Sequence, residues 1–220
     1  MSLPSHEETP SIVIRPLLRG WLHVAGAVIL LACSPILLIR AHTWTQVGWV
    51  LCSLVGVEAM LVTSALFHRV RWTPRHRRAM RRADHSAIFL AITGSYLAIA
   101  GLTMHGTIRL VILLVVVGGA AIGITIRQFA LDAPKWANTL PYLVVGWAAV
   151  AVMPQIYRGG GAKCFLLVVT GGLAYTLGAV AYATKHPKLS PRVFGYHELF
   201  HAGTLVGAAL NFWAVAVALH

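Results

Sequence analysis

Residues 47–104 read VGWVLCSLVGVEAMLVTSALFHRVRWTPRHRRAMRRADHSAIFLAITGSYLAIAGLTM. Two apolar runs, 47–68 and 86–104, flank a short segment that holds Arg69, Arg71, Arg75, Arg77, Arg78, Arg81 and Arg82. Each run has about the 20 residues a helix needs to cross a hydrocarbon core of roughly 30 Å. Arginines concentrated between two such runs mark the cytoplasmic side of a membrane. The stretch therefore predicts a hairpin of two membrane helices closed at its cytoplasmic end.

The same reading extends outward. Further apolar runs cover 21–39, 108–126, 138–156, 164–184 and 196–219, giving seven in all. Pro35, Pro141 and Pro154 fall inside runs, where packed neighbouring helices tolerate a kink or cap. Composition agrees. Of the 220 residues 58% are hydrophobic and 11% charged, against about 25% charged in soluble domains, and the mean hydropathy is +0.74. These values exclude a disordered chain, a disulfide-rich secreted module and an ordinary cytosolic enzyme. Cys33, Cys52 and Cys164 lie in apolar stretches without CxxC spacing, so neither a disulfide framework nor a thiolate metal site is suggested.

The excess of 18 Lys+Arg over 6 Asp+Glu resembles a nucleic-acid binder's, but the basic residues sit in connectors between apolar runs. They are better explained by topology, and no nucleic-acid partner is expected. With the N-terminus inside, Arg15, Arg19, the seven arginines of 69–82, Arg127, Lys135, Lys185, Lys188 and Arg192 are cytoplasmic. Only Arg40, Arg109, Arg158 and Lys163 lie outside, a bias of 14 to 4 that fixes the orientation. The expected fold is all-α: a polytopic bundle of seven transmembrane helices, N-terminus cytoplasmic and C-terminus outside, in the cell (plasma) membrane, the inner membrane of a bacterium. Residues 1–15 read as a loose polar tail and 16–220 as one seven-helix domain. The connector 69–85 serves as a topology anchor that could also meet anionic lipid head groups. No internal repeat suggests an inverted-repeat transporter.

Ionisable groups at membrane depth call for a functional explanation. They are His23, Glu58, His68, Asp84, His85, His197, Glu198 and His201. His197 and His201, four residues apart, share one helical face one turn apart, a spacing suited to a metal ion; two interfacial histidines at a helix start are the plainer alternative. By the topology above, His68 ends the second run, Asp84 opens the third and His197 opens the seventh. Four potential ligands from three helices thus meet at one depth near the cytoplasmic face. Three imidazoles with an open fourth position describe a catalytic zinc. Asp84 would then orient or deprotonate the attacking water, unless it pairs with Arg81 or Arg82. Ser64, one turn before His68, would donate to an oxyanion, unless it bonds its own backbone. His23 is placed to orient a ligand. His85 and Glu198 read as supporting or headgroup-facing groups, and Glu58 as a neutral carboxyl within the bundle.

At these residues the sequence resembles the hemolysin III branch of the progestin and adipoQ receptor (PAQR) family. Ser64-Ala65-Leu66-Phe67-His68 is similar to the family's SxxxH. Arg82-Ala83-Asp84-His85-Ser86-Ala87-Ile88-Phe89, continuing to Gly94-Ser95-Tyr96, resembles the start of its third helix. Gly195-Tyr196-His197-Glu198-Leu199-Phe200-His201 resembles its HxxxH, and Arg19-Gly20-Trp21-Leu22-His23 the bacterial branch's RGxxH. The resemblance implies zinc held by His68, His197 and His201, with Asp84 acting on water and Ser64 lining the site. It also implies possible hydrolysis of a lipid amide or ester, since the wider superfamily includes alkaline ceramidases. Two departures stand out. Leu97-Ala98 replaces the usual Thr-Pro, and the receptor branch's Glu-x-x-Asn-x-x-Thr-His motif is absent, which argues against a hormone receptor.

The leading expectation is a zinc-dependent membrane hydrolase whose partners are membrane lipids. Its alternative is a non-enzymatic membrane protein of membrane homeostasis, signalling or cytolysis, with a structural or sensory zinc. A lytic function lacks an amphipathic pore-forming stretch. An open position on the metal beside a lipid-sized cavity favours the first; a fourth protein ligand favours the second.

Overall fold

The computed structural model describes residues 16–129, 132–190 and 192–219, so the tail expected over 1–15 lies outside the described residues. The chain forms α1 (Trp21–Arg40), α2 (Trp44–Arg69), α3 (Pro74–Thr103), α4 (Gly106–Phe129), α5 (Lys135–Trp147), a 3-10 turn (Ala148–Val152), α6 (Met153–Thr184) and α7 (Tyr196–Ala218). No strand forms among the described residues. Six helical segments among them are long and apolar enough to cross a membrane.

The helix ends follow local chemistry. Thr43 caps α2 in a reciprocal capping box with Gln46, which satisfies donors that the first turn would otherwise leave bare. Thr73 caps α3 and Pro74 occupies its first turn, where the missing N–H costs nothing. This corrects the expected connector over 69–85. Only 70–73 is non-helical there, and the remaining arginines ride on the first three turns of α3. Hydropathy marks where a helix meets the membrane, not where it starts.

The sequence carries runs 138–156 and 164–184, whereas α5, the 3-10 turn and α6 follow one another without a loop over Lys135–Thr184, 50 residues. A straight helix of that length would reach about 75 Å. It is not straight. Gly161 adopts φ 75°, ψ 175° inside α6, a conformation open to glycine and strained for other residues. The rings of Tyr157 and Phe165 lie 5.8 Å apart across this break. Trp147 Nε1 donates to Thr176 Oγ1 at 3.0 Å, although 29 residues separate them. The segment therefore folds back on itself at Gly161.

Packing is closest between α2 and α3 and between α6 and α7. Gly56 and Gly94 face each other, and a Cβ on Gly56 would come within 3.3 Å of the Gly94 Cα. Small residues permit this approach where lipid gives no hydrophobic drive between helices. One buried apolar cluster centres on Leu37, Val50, Ala98, Val116 and Val215, and a second on Val57, Met60, Leu61, Ala87 and Ala91. Large apolar side chains also point outward, among them Leu31, Leu114, Ile122 and Leu177. That inside-out pattern suits hydrocarbon surroundings. Exposed Trp44, Phe129 and Trp136 sit at or near helix ends, where aromatic rings favour the membrane interface.

Candidate metal centre

The site lies at the end of the bundle where α2 finishes, α3 is three turns old and α7 begins. Gly195 precedes α7, and the fully buried Glu198 accepts a hydrogen bond from its N–H at 2.9 Å. Glu198 also pairs with Arg19 Nε. This ties the first turn of α7 to the segment before α1, which is further held by the N–H of Leu17 donating to the Arg192 carbonyl at 3.0 Å. With α7 so anchored, His197 and His201 project inward on one face. Gly20 packs against the second helix closely enough that a Cβ there would lie 2.8 Å from the Cβ of His68.

Three of the imidazoles converge. Ligand nitrogens of His68, His197 and His201 all lie within 4.8 Å of one another, and the Nε2 atoms of His68 and His197 are 3.3 Å apart. Two nitrogens bound tetrahedrally at about 2.05 Å would be separated by about 3.35 Å, so this pair already has the spacing of a shared ion. His201 is buried and its Nε2 has no hydrogen-bond partner. An unpaired buried nitrogen is costly, and a cation would satisfy it. The nitrogen-only donor set suits zinc among common cations and does not suit calcium or magnesium. On the other side of the ring, His201 Nδ1 meets His23 Nε2 at 2.9 Å, with His23 itself buried.

Asp84 is buried on α3, and the buried Ser64 of α2 lines the same cavity. Asp84 borders that cavity with His197 and His201 but is not part of the close nitrogen group. Arg81 pairs with Asp132 at 3.1 Å. His85 lines the cavity and its carbonyl accepts from Tyr142 Oη at 3.1 Å. Glu58 keeps one buried oxygen without a partner and stands apart from this site.

Two groups at this end escaped the sequence reading. Arg127, counted only as a topology charge, is fully buried and donates to Asn138 Oδ1. Lys135 donates to the Tyr196 hydroxyl at 2.6 Å and lies over the Tyr182 and Tyr196 rings. The signal for Arg127 was its place two residues inside the end of α4, directly after the apolar run 108–126.

From this centre an apolar cavity of about 280 Å³ extends between α3, α5, α6 and α7. On α3 alone its lining runs from Asp84 to Met104 at the helix end, a rise of about 30 Å.

A family model of haemolysin-III related proteins matches residues 12–212. The chain belongs to that family. Hemolysin-3 of Bacillus cereus is 27% identical over 196 residues, covering 88% of this chain and 86% of that protein. A Hemolysin-3 homolog of Bacillus subtilis (strain 168) is 26% identical over 197 residues, covering 88% and 89%. The heptahelical transmembrane protein ADIPOR2 of Oryza sativa subsp. japonica is 27% identical over 184 residues, covering 76% and 80%. The haemolysin-III match joined to six membrane-capable helices makes this a multi-pass protein of the bacterial cell membrane.

Proposed function

We propose that this haemolysin-III protein is a zinc-dependent hydrolase of a lipid amide or ester. The observation that carries the reading is the junction of three converging imidazoles with one end of a long apolar cavity. Such a cavity accepts an acyl tail and brings its polar linkage to the histidines. His68, His197 and His201 would hold the ion, and zinc when bound supplies Lewis acidity towards a carbonyl and towards water. With His201 Nε2 turned to the metal, its Nδ1 carries the proton and donates to His23, which fixes the tautomer. Asp84 stands beside the site as proton acceptor, oriented by Ser64. Water oxygen bonds the carbonyl carbon while Asp84 takes its proton. The C–N or C–O bond then breaks and Asp84 returns the proton to the leaving nitrogen or oxygen. The products are a fatty acid and an amine or alcohol.

The purified, zinc-loaded protein in lipid vesicles should release fatty acid from an amide or ester lipid. A chelator should stop release and added zinc restore it. Absence of release from every amide and ester lipid tried would favour a second reading, a structural zinc. That reading has its own support, because α2 and α7 share little packing, and an ion held by His68, His197 and His201 would staple them. Under it, chelation lowers the unfolding temperature with no activity to lose.

His23 gives a separate expectation. His23→Ala should weaken zinc binding about 10- to 100-fold, the usual effect of removing a group that orients a ligand. His23→Gln, whose carbonyl accepts the same bond, should recover most of it. Chelator competition measures both, and unchanged affinity in His23→Ala would remove His23 from the centre.

We further propose seven spans with the N-terminus cytoplasmic. The reading counts Lys135–Thr184 as two spans because it folds back at Gly161. It accords with the name heptahelical borne by the rice relative, and it rests on the 14-to-4 basic bias. A reporter fused after His220 should be extracytoplasmic and one inserted in 70–73 cytoplasmic; a cytoplasmic C-terminal reporter overturns the seven-span count.

A further inference from the structure

A second cavity, of about 200 Å³, adjoins the metal centre on its other side. Its wall carries Arg19, Arg77 and Arg81. Asp84, His85, Tyr182 and His197 border both cavities, so the candidate centre sits between an apolar chamber and a guanidinium-lined vestibule. Arg77, Arg81 and His85 are spaced four apart on α3 and share one face. Arg19 and Arg81 are fixed by carboxylates outside the vestibule lining, while Arg77 stands near Phe67 on the same wall. Arg81 bonds Asp132 at 3.1 Å, Arg77 lies 5.7 Å from the centroid of the Phe67 ring, and Arg19 pairs with Glu198. Neither Asp132 nor Glu198 lines the vestibule, and among the described residues the only carboxylate that does is Asp84.

This two-sided arrangement specifies more than an acyl chain. A neutral head group, offering hydroxyls alone, gains little from guanidinium groups that can only donate. A phosphate presents several acceptor oxygens and up to two negative charges, and it takes guanidinium forks in bidentate fashion. Arg19 and Arg81 each already pair with one carboxylate, and a phosphate has oxygens enough to take their remaining N–H donors together with those of Arg77.

We propose that the lipid taken by this site is a phosphate-bearing acyl lipid, with its tail in the apolar cavity and its phosphate held by Arg19, Arg77 and Arg81. The assignment rests on the hydrolase reading for its acyl linkage at the histidines, while the phosphate site is testable by binding alone. The probe pair is lysophosphatidate and the monoacylglycerol of identical acyl chain, titrated in neutral detergent at fixed salt. Wild-type protein should bind lysophosphatidate at least about tenfold more tightly, as expected for charge-assisted bonds. Arg77→Gln with Arg81→Gln should erase that preference while zinc content and monoacylglycerol binding stay at wild-type values. Arg78→Gln, which removes a guanidinium that does not line the vestibule, should leave the preference intact.

Equal affinity of the wild type for the two lipids would overturn the proposal without needing any variant to fold. Inorganic phosphate separates the two sources of the same chemistry. It should compete only weakly if the phosphate is a head group, and competition by free phosphate as strong as by lysophosphatidate would overturn the lipid assignment. Acyl release on the same samples keeps the two readings apart. Release from both lipids without a binding preference sinks the phosphate assignment and keeps the hydrolase. A clear preference with no release from either keeps the phosphate site and sinks the hydrolase.

Discussion

Replacing His197 and His201 together by alanine should reduce zinc from about one ion per chain to background, and abolish any hydrolytic activity with it. Zinc sites of this kind are built from three or four protein donors, and the double variant leaves His68 alone. The ligand nitrogens lie within 4.8 Å of one another, so no other histidine of the described chain is as well placed to substitute. His23, whose partner His201 is lost in this variant, would at most add one nitrogen to His68, short of the three a zinc site needs. The matching control removes exposed histidines away from the centre, His42 and His105, and should keep full occupancy. Elemental analysis of the purified protein decides the matter. Stoichiometric zinc in the His197→Ala, His201→Ala variant would sink the ligand assignment, whatever the fate of activity.

The bundle was legible because a membrane turns folding into a nearly one-dimensional pattern. Every backbone polar group must be satisfied within its own helix, so apolar length alone locates the helices. Helix starts and breaks that hydropathy does not mark lie outside this pattern. The arginines of 75–82 favour helix while avoiding hydrocarbon, so α3 starts at Pro74, well before its apolar run. The fold-back within Lys135–Thr184 turns on the backbone of Gly161, one glycine among 20.

The candidate site divides in the same way. The HxxxH spacing is local and could be read directly. His68 and Asp84 joined it through depth, because topology places helix ends without saying which helices are neighbours. Contacts that depend on lateral arrangement could not be read so firmly. His23 with His201 spans 178 residues and Arg19 with Glu198 spans 179. Each requires α1 to lie against α7, which no spacing along the chain encodes. Ser64 lines the same cavity as Asp84, which gives it a second reading as a group that orients the carboxylate.

Asp84→Asn should separate chemistry from metal holding. Asparagine keeps the shape of the side chain and an oxygen for the Ser64 hydroxyl, and loses only the capacity to accept a proton. Asp84 lies outside the close nitrogen group, so zinc content should stay near one per chain. The hydrolytic rate should fall by about 10²- to 10⁴-fold, the usual contribution of a positioned general base. Two competing roles give different results on the same preparation. A fourth metal ligand at Asp84 would show as lost zinc, and the centre would then be closed and structural. A carboxylate serving only as partner to an arginine near the membrane surface contributes about 1 kcal/mol or less, so zinc and rate would both change little. Lysophosphatidate affinity adds a third readout, because removing a carboxylate from the vestibule wall should leave phosphate binding intact or strengthen it. Zinc retained with full activity would take Asp84 out of the mechanism, since no proton could then pass through it.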